Sequence, residues 1–564
     1  MGYGIVAGLA FLTVKYKESK DKVYYEMQHY NLPTLRRLII AKKVSEEIVL
    51  DGQITESFWE EAQVSSDFVQ YSPRDSILAE LQSEFRVAYD DKYIYIAAKM
   101  EDISSKKFIV GDLKRDFRGG SIDYMSFTFD TFQDETNGYM FGLSPFGVQR
   151  EALLSNGGEG SYSMGGGGSG GISWFNINWN TKWFSEVKLY EGYWIAEFKI
   201  PFNSIRYKEG SKVWNFNSYR GNSKINENSV WTIIPLGYSV ANLSMTGEIE
   251  FEYPLKKSSQ NLVLIPYVSG SGIRNKVSLP KRDFNFDAGL DFKMALSSSL
   301  NLDLTFNPDF SQVEVDEQRT NLTRFELFLP EKREFFTDNA DLFSNLGSRE
   351  SRPMFTRRIG IARDSTTSQY VQNPIIYGAK LSGKLSEDLR IGVLNMQTSK
   401  LSRSGIPSYN YGMAVLEKNI LKNSSISSFI INKQSLFNDE SKDYVHELDE
   451  FNRVIGFESK LQSNNTRFIS QLYYHQSLEK DNKANSNSYG INASYEKRNY
   501  ETNIYFYGVG ENFNPEVGFV PRKDYLFLSP SFQYKFIPEN SSINTHGPGI
   551  DYEFYRNKSN GLTD

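Results

Sequence analysis

Residues Ile375 to Leu385 (IIYGAKLSGKL) alternate in chemistry. Tyr377, Ala379, Leu381 and Leu385 occupy one set of positions, and Gly378, Lys380, Ser382 and Lys384 the other. A period of two sends successive side chains to opposite faces of a strand, so one face is apolar and the other polar. Ile491, Ala493 and Tyr495 set against Asn492, Ser494 and Glu496 repeat the pattern. From Asn261 onward about thirteen such segments follow one another with polar turns between them. The ladder predicts an antiparallel transmembrane β-barrel, with lipid against the apolar face and water or packed polar groups inside. A half-buried sheet of a soluble sandwich alternates as well. The number of consecutive hairpins, with no second apolar face to pack on, favours the barrel.

Composition narrows the remaining classes. The chain has 564 residues, too many for one compact core, so two or more domains are expected. The absence of cysteine excludes disulfides, thiolate metal sites and a cysteine nucleophile. Four histidines, at positions 29, 446, 475 and 546, argue against a multi-histidine metal centre. A net charge of −6 provides no basic field for nucleic acid. The 35 Tyr and 40 Phe suit interfacial girdles on a barrel and stacking platforms for sugars. No run of eighteen apolar residues is present, so no helix is expected to span a bilayer.

Residues 1–47 read as an N-terminal segment. Gly2 to Val14 is apolar enough for a signal-peptide core, but no basic residue precedes it and Lys15 to Lys22 is strongly charged, so an atypical start is the alternative. Residues 48–255 hold short β-rich runs, among them Phe85 to Tyr89, Tyr93 to Met100, Tyr124 to Asp130, Trp194 to Ile200 and Val213 to Tyr219, separated by turn formers. That spacing predicts an antiparallel β-sandwich. The glycine-dense stretch Asn156 to Gly171 lacks the Lys and Ser/Thr of a nucleotide loop and reads as a surface loop. Residues 258–564 form the barrel region. It is interrupted at 308–373 by a segment that does not alternate.

That interruption carries the string Asn307 to Phe336 (NPDFSQVEVDEQRTNLTRFELFLPEKREFF), in which acids and bases interleave with Phe. Such charge is costly against lipid, so Asp309, Glu314, Arg324, Glu331, Lys332 and Arg333 are expected in the lumen, as a plug. Arg357 and Arg358, in MFTRRIGI, continue it. With DGQITESFWEEA from Asp51, AYDDKYIYIAAKMED from Ala88, WIAEFKIPFNSIRY from Trp194 and WNFNSYR from Trp214, this string resembles an outer-membrane family of Bacteroidota and related bacteria. Its members join a domain like the family-nine carbohydrate-binding modules to a C-terminal β-barrel region of uncharacterised function. The resemblance covers residues 48 to 564 and implies an outer-membrane location, with the sandwich in the periplasm and a glycan as ligand. An odd strand count, and an end (NKSNGLTD) without the usual terminal aromatic, depart from the family pattern and suggest a truncated barrel.

Sugars are held by flat aromatic faces together with carboxylates and amides. Trp194 and Trp214 lie in apolar runs and are expected in the core. Trp174, Trp179 and Trp183, with Asn178, fall in the polar stretch WFNINWNTKW and form either an exposed platform or further core. Asp112, Asp116, Asp123, Asp130 and Asp134 are clustered. Related sandwich modules bind calcium, which makes Asp123 and Asp130 the candidate ligands for one structural calcium; a solvated acidic rim is the reading favoured over it. No other cofactor is implied. The leading expectation is a non-catalytic outer-membrane protein that binds carbohydrate and is anchored, or forms a pore, through its barrel. Two alternatives stand beside it: a membrane-anchored glycoside hydrolase of carbohydrate catabolism using Asp123 and Asp130, and a secretion or assembly accessory that binds a protein partner.

Overall fold

The computed structural model describes residues 36–563, except 47, 75–76, 104–106, 109–110, 112, 118, 120–121, 159–173, 236, 257–261, 275–281, 298, 309–319, 322–325, 330, 338, 349, 365–366, 368–369, 437–450, 482, 539–542 and 544. The described residues fall into two compact units, one holding those of 36–258 with 535–547, the other those of 262–534 with 548–563.

The first unit is built from β1 (Leu38–Lys43), β2 (Val69–Ser72), β3 (Ser83–Tyr89), β4 (Tyr93–Glu101), β5 (Tyr124–Asp130), β6 (Gly138–Leu143), β7 (Gln149–Leu154), β8 (Phe175–Asn176), β9 (Phe184–Tyr190), β10 (Tyr193–Pro201), β11 (Val213–Asn222), β12 (Glu227–Val230) and β13 (Gly247–Phe251). Their order is β8-β7-β6-β5-β11-β13-β1-β3-β4-β10-β9, with β12 bridging β11 to β2. Most pairs are antiparallel, but β1 runs parallel to both β13 and β3 and so belongs to both layers. The sandwich boundary expected at residue 48 is corrected here, because β1 lies before it; the signal-sequence expectation for Gly2 to Val14 lies outside the described residues. Ile39 and Ala41 alternate with exposed neighbours, and their side chains complete the core.

The two inner faces meet as a sandwich. Ile94, Ile96, Ala98 and Met100 of β4 and Trp194, Ala196, Phe198 and Ile200 of β10 all enter one core. Register sets Met100 opposite Trp194 and Ala98 opposite Ala196, pairing large with large and small with small. Phe127 of the opposing sheet meets the Phe198 ring edge-on at 5.1 Å. Each such side chain contributes roughly 1.5–3 kcal/mol by leaving water. A one-turn helix, α1 (Ser57–Glu61), lays Phe58 and Trp59 over Ala88, Tyr95 and Ala97 on the opposite face.

The second unit holds one antiparallel sheet of fourteen strands among the described residues: thirteen follow one path from Leu262–Arg274 to Gly549–Asp551, and Phe554–Asn557 pairs with Tyr525–Tyr534 beside it. Among those residues the first and last strands of the order do not pair, so the path is open and no closed barrel is seen. The alternation falls as expected along Ile375–Lys384, but its burial is reversed relative to the sandwich. Lys380 and Ser382 are buried, while Tyr377 is 39% exposed. The same inversion exposes Leu416, Ile426, Ile430, Ile455 and Phe457 on neighbouring strands. Against the polar face lie α2 (Glu334–Thr337), α3 (Ala340–Ser344) and the turn Thr356–Arg358, whose Phe335, Phe343 and nearby Met354 pack on Leu394, Met413 and Phe429.

Candidate functional site

Three strands of the sandwich finish at the same end. β4 stops at Glu101, β5 starts at Tyr124, and β11 runs out past Gly221, which pairs with Tyr124. The residues just beyond those ends are polar and buried. Lys224 Nζ donates to Asp102 Oδ2 at 2.5 Å, and both side chains are under a tenth exposed. Ser223 Oγ donates to Asp123 Oδ2 at 2.7 Å. Arg220 directs its guanidinium at the Leu81, Gln82 and Glu101 carbonyls and the Ser83 hydroxyl, tying β11 to the ends of β3 and β4. Burial pulls Arg220 down to about 10, against the nearby Asp123 and Asp102 carboxylates. Burial pushes Asp123 up from its ordinary value, opposed by the Ser223 hydroxyl and the Arg220 charge.

Polar atoms on two members of this cluster are left unmatched. Asn222 is 4% exposed, yet neither its amide nitrogen nor its oxygen is hydrogen-bonded, and Asp102 Oδ1 is likewise buried and unmatched. A buried amide without partners costs on the order of 1–3 kcal/mol. The two side chains therefore offer one donor group and two acceptors, a set that hydroxyl groups can satisfy because each both donates and accepts. The Phe108 ring lies 3.4 Å from Lys224 Nζ. It meets Phe146, which is 45% exposed, edge-on at 6.0 Å. An aromatic edge beside a polar recess is chemistry suited to a polyol ring.

The tryptophan platform is corrected. Trp179 packs on Tyr139 and Phe141, and Trp183 lies flat on Phe198 at 5.6 Å with its Nε1 donating to Glu151. Both belong to the main core, their indoles turned inward, although Asn178 beside them stands in a turn and Asn180 is exposed. Trp174 is half-buried against Phe175, in a separate small cluster with Leu154 and Leu243. Asn178 is half-buried, and its backbone N–H donates to the Asn176 side chain. The four do not share a surface. Trp194 and Trp214 are fully buried.

The acidic pair is corrected as well. Asp123 and Asp130 stand at opposite ends of β5, roughly 23 Å apart at 3.3 Å per residue. That is too far for two glycosidase carboxylates, which stand about 5–10 Å apart, and too far for one shared calcium. Asp130 accepts from the Phe132, Asp134 and Glu135 backbone N–H groups and from Asn215 Nδ2, a donor set that leaves no role for a cation. Asp123 sits beside Arg220 and Lys224, which repel one. Asp112 lies outside the described residues.

Of the charged segment, Asp309, Glu314 and Arg324 lie outside the described residues. Glu331 pairs with Arg333 at 2.7 Å and accepts from Thr356 Oγ1, while Arg333 also reaches the Thr356 and Ile359 carbonyls. Arg358 pairs with Glu326 at 2.5 Å; Lys332 and Arg357 are half-buried. The strands answer with charges the sequence reading did not single out. Arg390 bridges Asp341 and Glu417 at 2.7 Å each, and Lys380 meets Asp303 at 3.1 Å. Glu458 accepts from Gly347 N and lies 3.0 Å from His475 Nε2. Their signal was present as charged letters at the polar positions of the ladder.

Residues 259–563 match a family described as a domain of unknown function (DUF5916). No curated protein sequence matches the chain. Among solved structures, a family-nine carbohydrate-binding module from Caldicellulosiruptor kristjanssonii, in complex with glucose, is 13% identical over 40% of this chain and 98% of its own, with a TM-score of 0.27. A Bacteroides uniformis protein described as a candidate carbohydrate binder is 15% identical over 38% of this chain and all of its own (100%), with a TM-score of 0.30. Acinetobacter baumannii OccAB4 is 8% identical over 87% of this chain and 90% of its own, with a TM-score of 0.26.

Proposed function

The chain belongs to the DUF5916 family of unknown function, and from that premise we propose that it is an outer-membrane protein whose sandwich binds a carbohydrate. The observations that carry the binding reading are the unmatched Asn222 amide and the unmatched Asp102 Oδ1, both buried where β11 and β4 end, with Phe108 against Lys224 at the same end. A sugar hydroxyl that donates to Asp102 and accepts from Asn222 would satisfy both groups, and the ring's apolar face would lie against the aromatic edge.

Reversed burial in the second unit supports the membrane part. Placing isoleucine and phenylalanine outward while charged pairs fill the interior is unfavourable in water and favourable in hydrocarbon. Closure of the meander into a barrel would leave no strand edge in lipid. The docked segment around α2 and α3 fills the polar face, so anchoring is favoured over an open pore.

The test is titration of the detergent-solubilised chain with a panel of oligosaccharides, followed by Asn222→Ala. The variant is expected to bind at least about tenfold more weakly, while its melting temperature holds or rises because an unsatisfied buried amide has been removed. Unchanged affinity in Asn222→Ala, or no binding to any member of the panel, overturns the reading.

A further inference from the structure

Arg150, on β7, points away from the sandwich core. Its register neighbours are Gly142 on β6 and, across that strand, Ser126 on β5. Its guanidinium carbon lies 4.9 Å from the centre of the Phe175 ring, 5.5 Å from Tyr124 and 5.6 Å from Phe117. Phe117 and Tyr124 are themselves buried and meet edge-on at 5.6 Å, so two walls of this box are fixed. Tyr219 braces Tyr124 from behind at 5.4 Å.

The Asp116 carboxylate is near enough to feel the Arg150 charge, but among the described residues no anion hydrogen-bonds to the guanidinium. Among the described residues Arg150 makes no hydrogen bond and no ion pair, and its Nε is buried without a partner. The nearest carboxylates are engaged elsewhere. Asp116 Oδ1 accepts from Glu151 N at 3.2 Å. Glu151, on the opposite face of β7, takes Arg115, Thr181 N and Trp183 Nε1. Arg220, Arg333 and Arg390, by contrast, each have several oxygen partners. Aromatic faces satisfy the flat sides of a guanidinium but not its in-plane N–H donors. A fork of that kind, partly desolvated and half-exposed, is built for a planar oxyanion held by two parallel hydrogen bonds.

We propose that Arg150 is an anion subsite that takes the carboxylate of a uronate residue, so that the glycan recognised by the sandwich is acidic. This rests on the carbohydrate reading above. The apolar walls suit the face of a sugar ring, which a free inorganic anion lacks.

The full chain in detergent is titrated with trigalacturonate, with its neutral methyl ester and with inorganic sulfate, in the native protein, Arg150→Met, Arg150→Lys and Asn222→Ala. The acid is expected to bind about ten- to a hundredfold more tightly than the ester. Arg150→Met should bring acid and ester to equal affinity. Arg150→Lys should retain part of it, because a point charge replaces a fork. Asn222→Ala should leave the ratio of acid to ester affinity unchanged. Equal affinity for acid and ester in the native protein, or a preference that survives Arg150→Met, overturns the proposal and leaves the carbohydrate reading standing. Sulfate binding that vanishes in Arg150→Met, with neither sugar bound, overturns the carbohydrate reading and the uronate assignment with it.

Discussion

β4 of the sandwich and Ile375–Lys384 of the meander share a period of two and obey opposite rules of burial. In β4 the apolar set, from Ile94 to Met100, is sealed inside; in Ile375–Lys384 the sealed set is Gly378, Lys380 and Ser382. Periodicity therefore states that a strand has two faces and leaves open which one is covered. The covering decides. The β4 face meets a second apolar sheet, whereas the polar face of the meander meets a segment carrying matched charges, such as Asp341 for Arg390.

This contrast can be broken at its strongest point by Arg390→Met. It would leave Asp341 and Glu417 buried without their cation and should cost the second unit about 3–5 kcal/mol. Denaturant unfolding of the purified variant checks this; a loss below 1 kcal/mol would mean that the interior is wet enough to hydrate both acids.

Ile430 in the meander and Leu189 in the sandwich are each 46% exposed, which makes them a matched pair. Arginine at position 430 should oppose folding into lipid vesicles by about 2–4 kcal/mol. Arginine at 189, on a water-facing edge, should shift stability by no more than about 0.5 kcal/mol. Equal effects at the two positions would remove the case for a lipid-facing surface.

Trp183→Phe should keep the ring stacked on Phe198 while depriving the buried Glu151 of one donor. A loss of about 1–2 kcal/mol in the sandwich transition is expected. A platform residue would instead lose sugar affinity and keep its stability.

The smallest effect concerns pH. Glu197 on β10 is buried beneath the Asp51–Gly52 turn, which donates two N–H groups to it. Burial, with Glu56 and Asp51 nearby, raises it from 4.5 to about 7. A raised carboxylate favours the folded state when protonated, so its contribution is present below pH 4.5 and is lost as pH rises through about 7. Sandwich stability should decline over that interval by on the order of 1–2 kcal/mol, and Glu197→Gln should flatten the slope. Melting curves between pH 4 and 8 that coincide for the two proteins would show that Glu197 is not the source.

Strand positions were legible because alternation is local: Tyr124–Asp130 and Ile375–Lys384 fall where the pattern puts them. The recess was not legible. Asp102 and Lys224 are more than a hundred residues apart in sequence, and only the folding of β4 and β11 to one end brings them together. Asp123 was singled out, but with the wrong companion, since proximity in sequence to Asp130 is distance along an extended strand. The tryptophans misled for a related reason. Asn and Thr neighbours imply exposure when they share a face with the indole, and here Trp179 and Trp183 turn inward from irregular backbone instead.

The placement of β1 has a consequence for timing. It is the first strand of the sandwich to be synthesised, and one of its partners, β13, pairs Ile39 with Ile249 more than two hundred residues later. Until that segment leaves the ribosome, β1 and β11 each present a bare edge, and closing so long a loop is slow. A nascent chain of this protein thus remains unfinished for nearly the whole synthesis of the domain. A holding chaperone would find its best grip there, on the two edges that β13 closes.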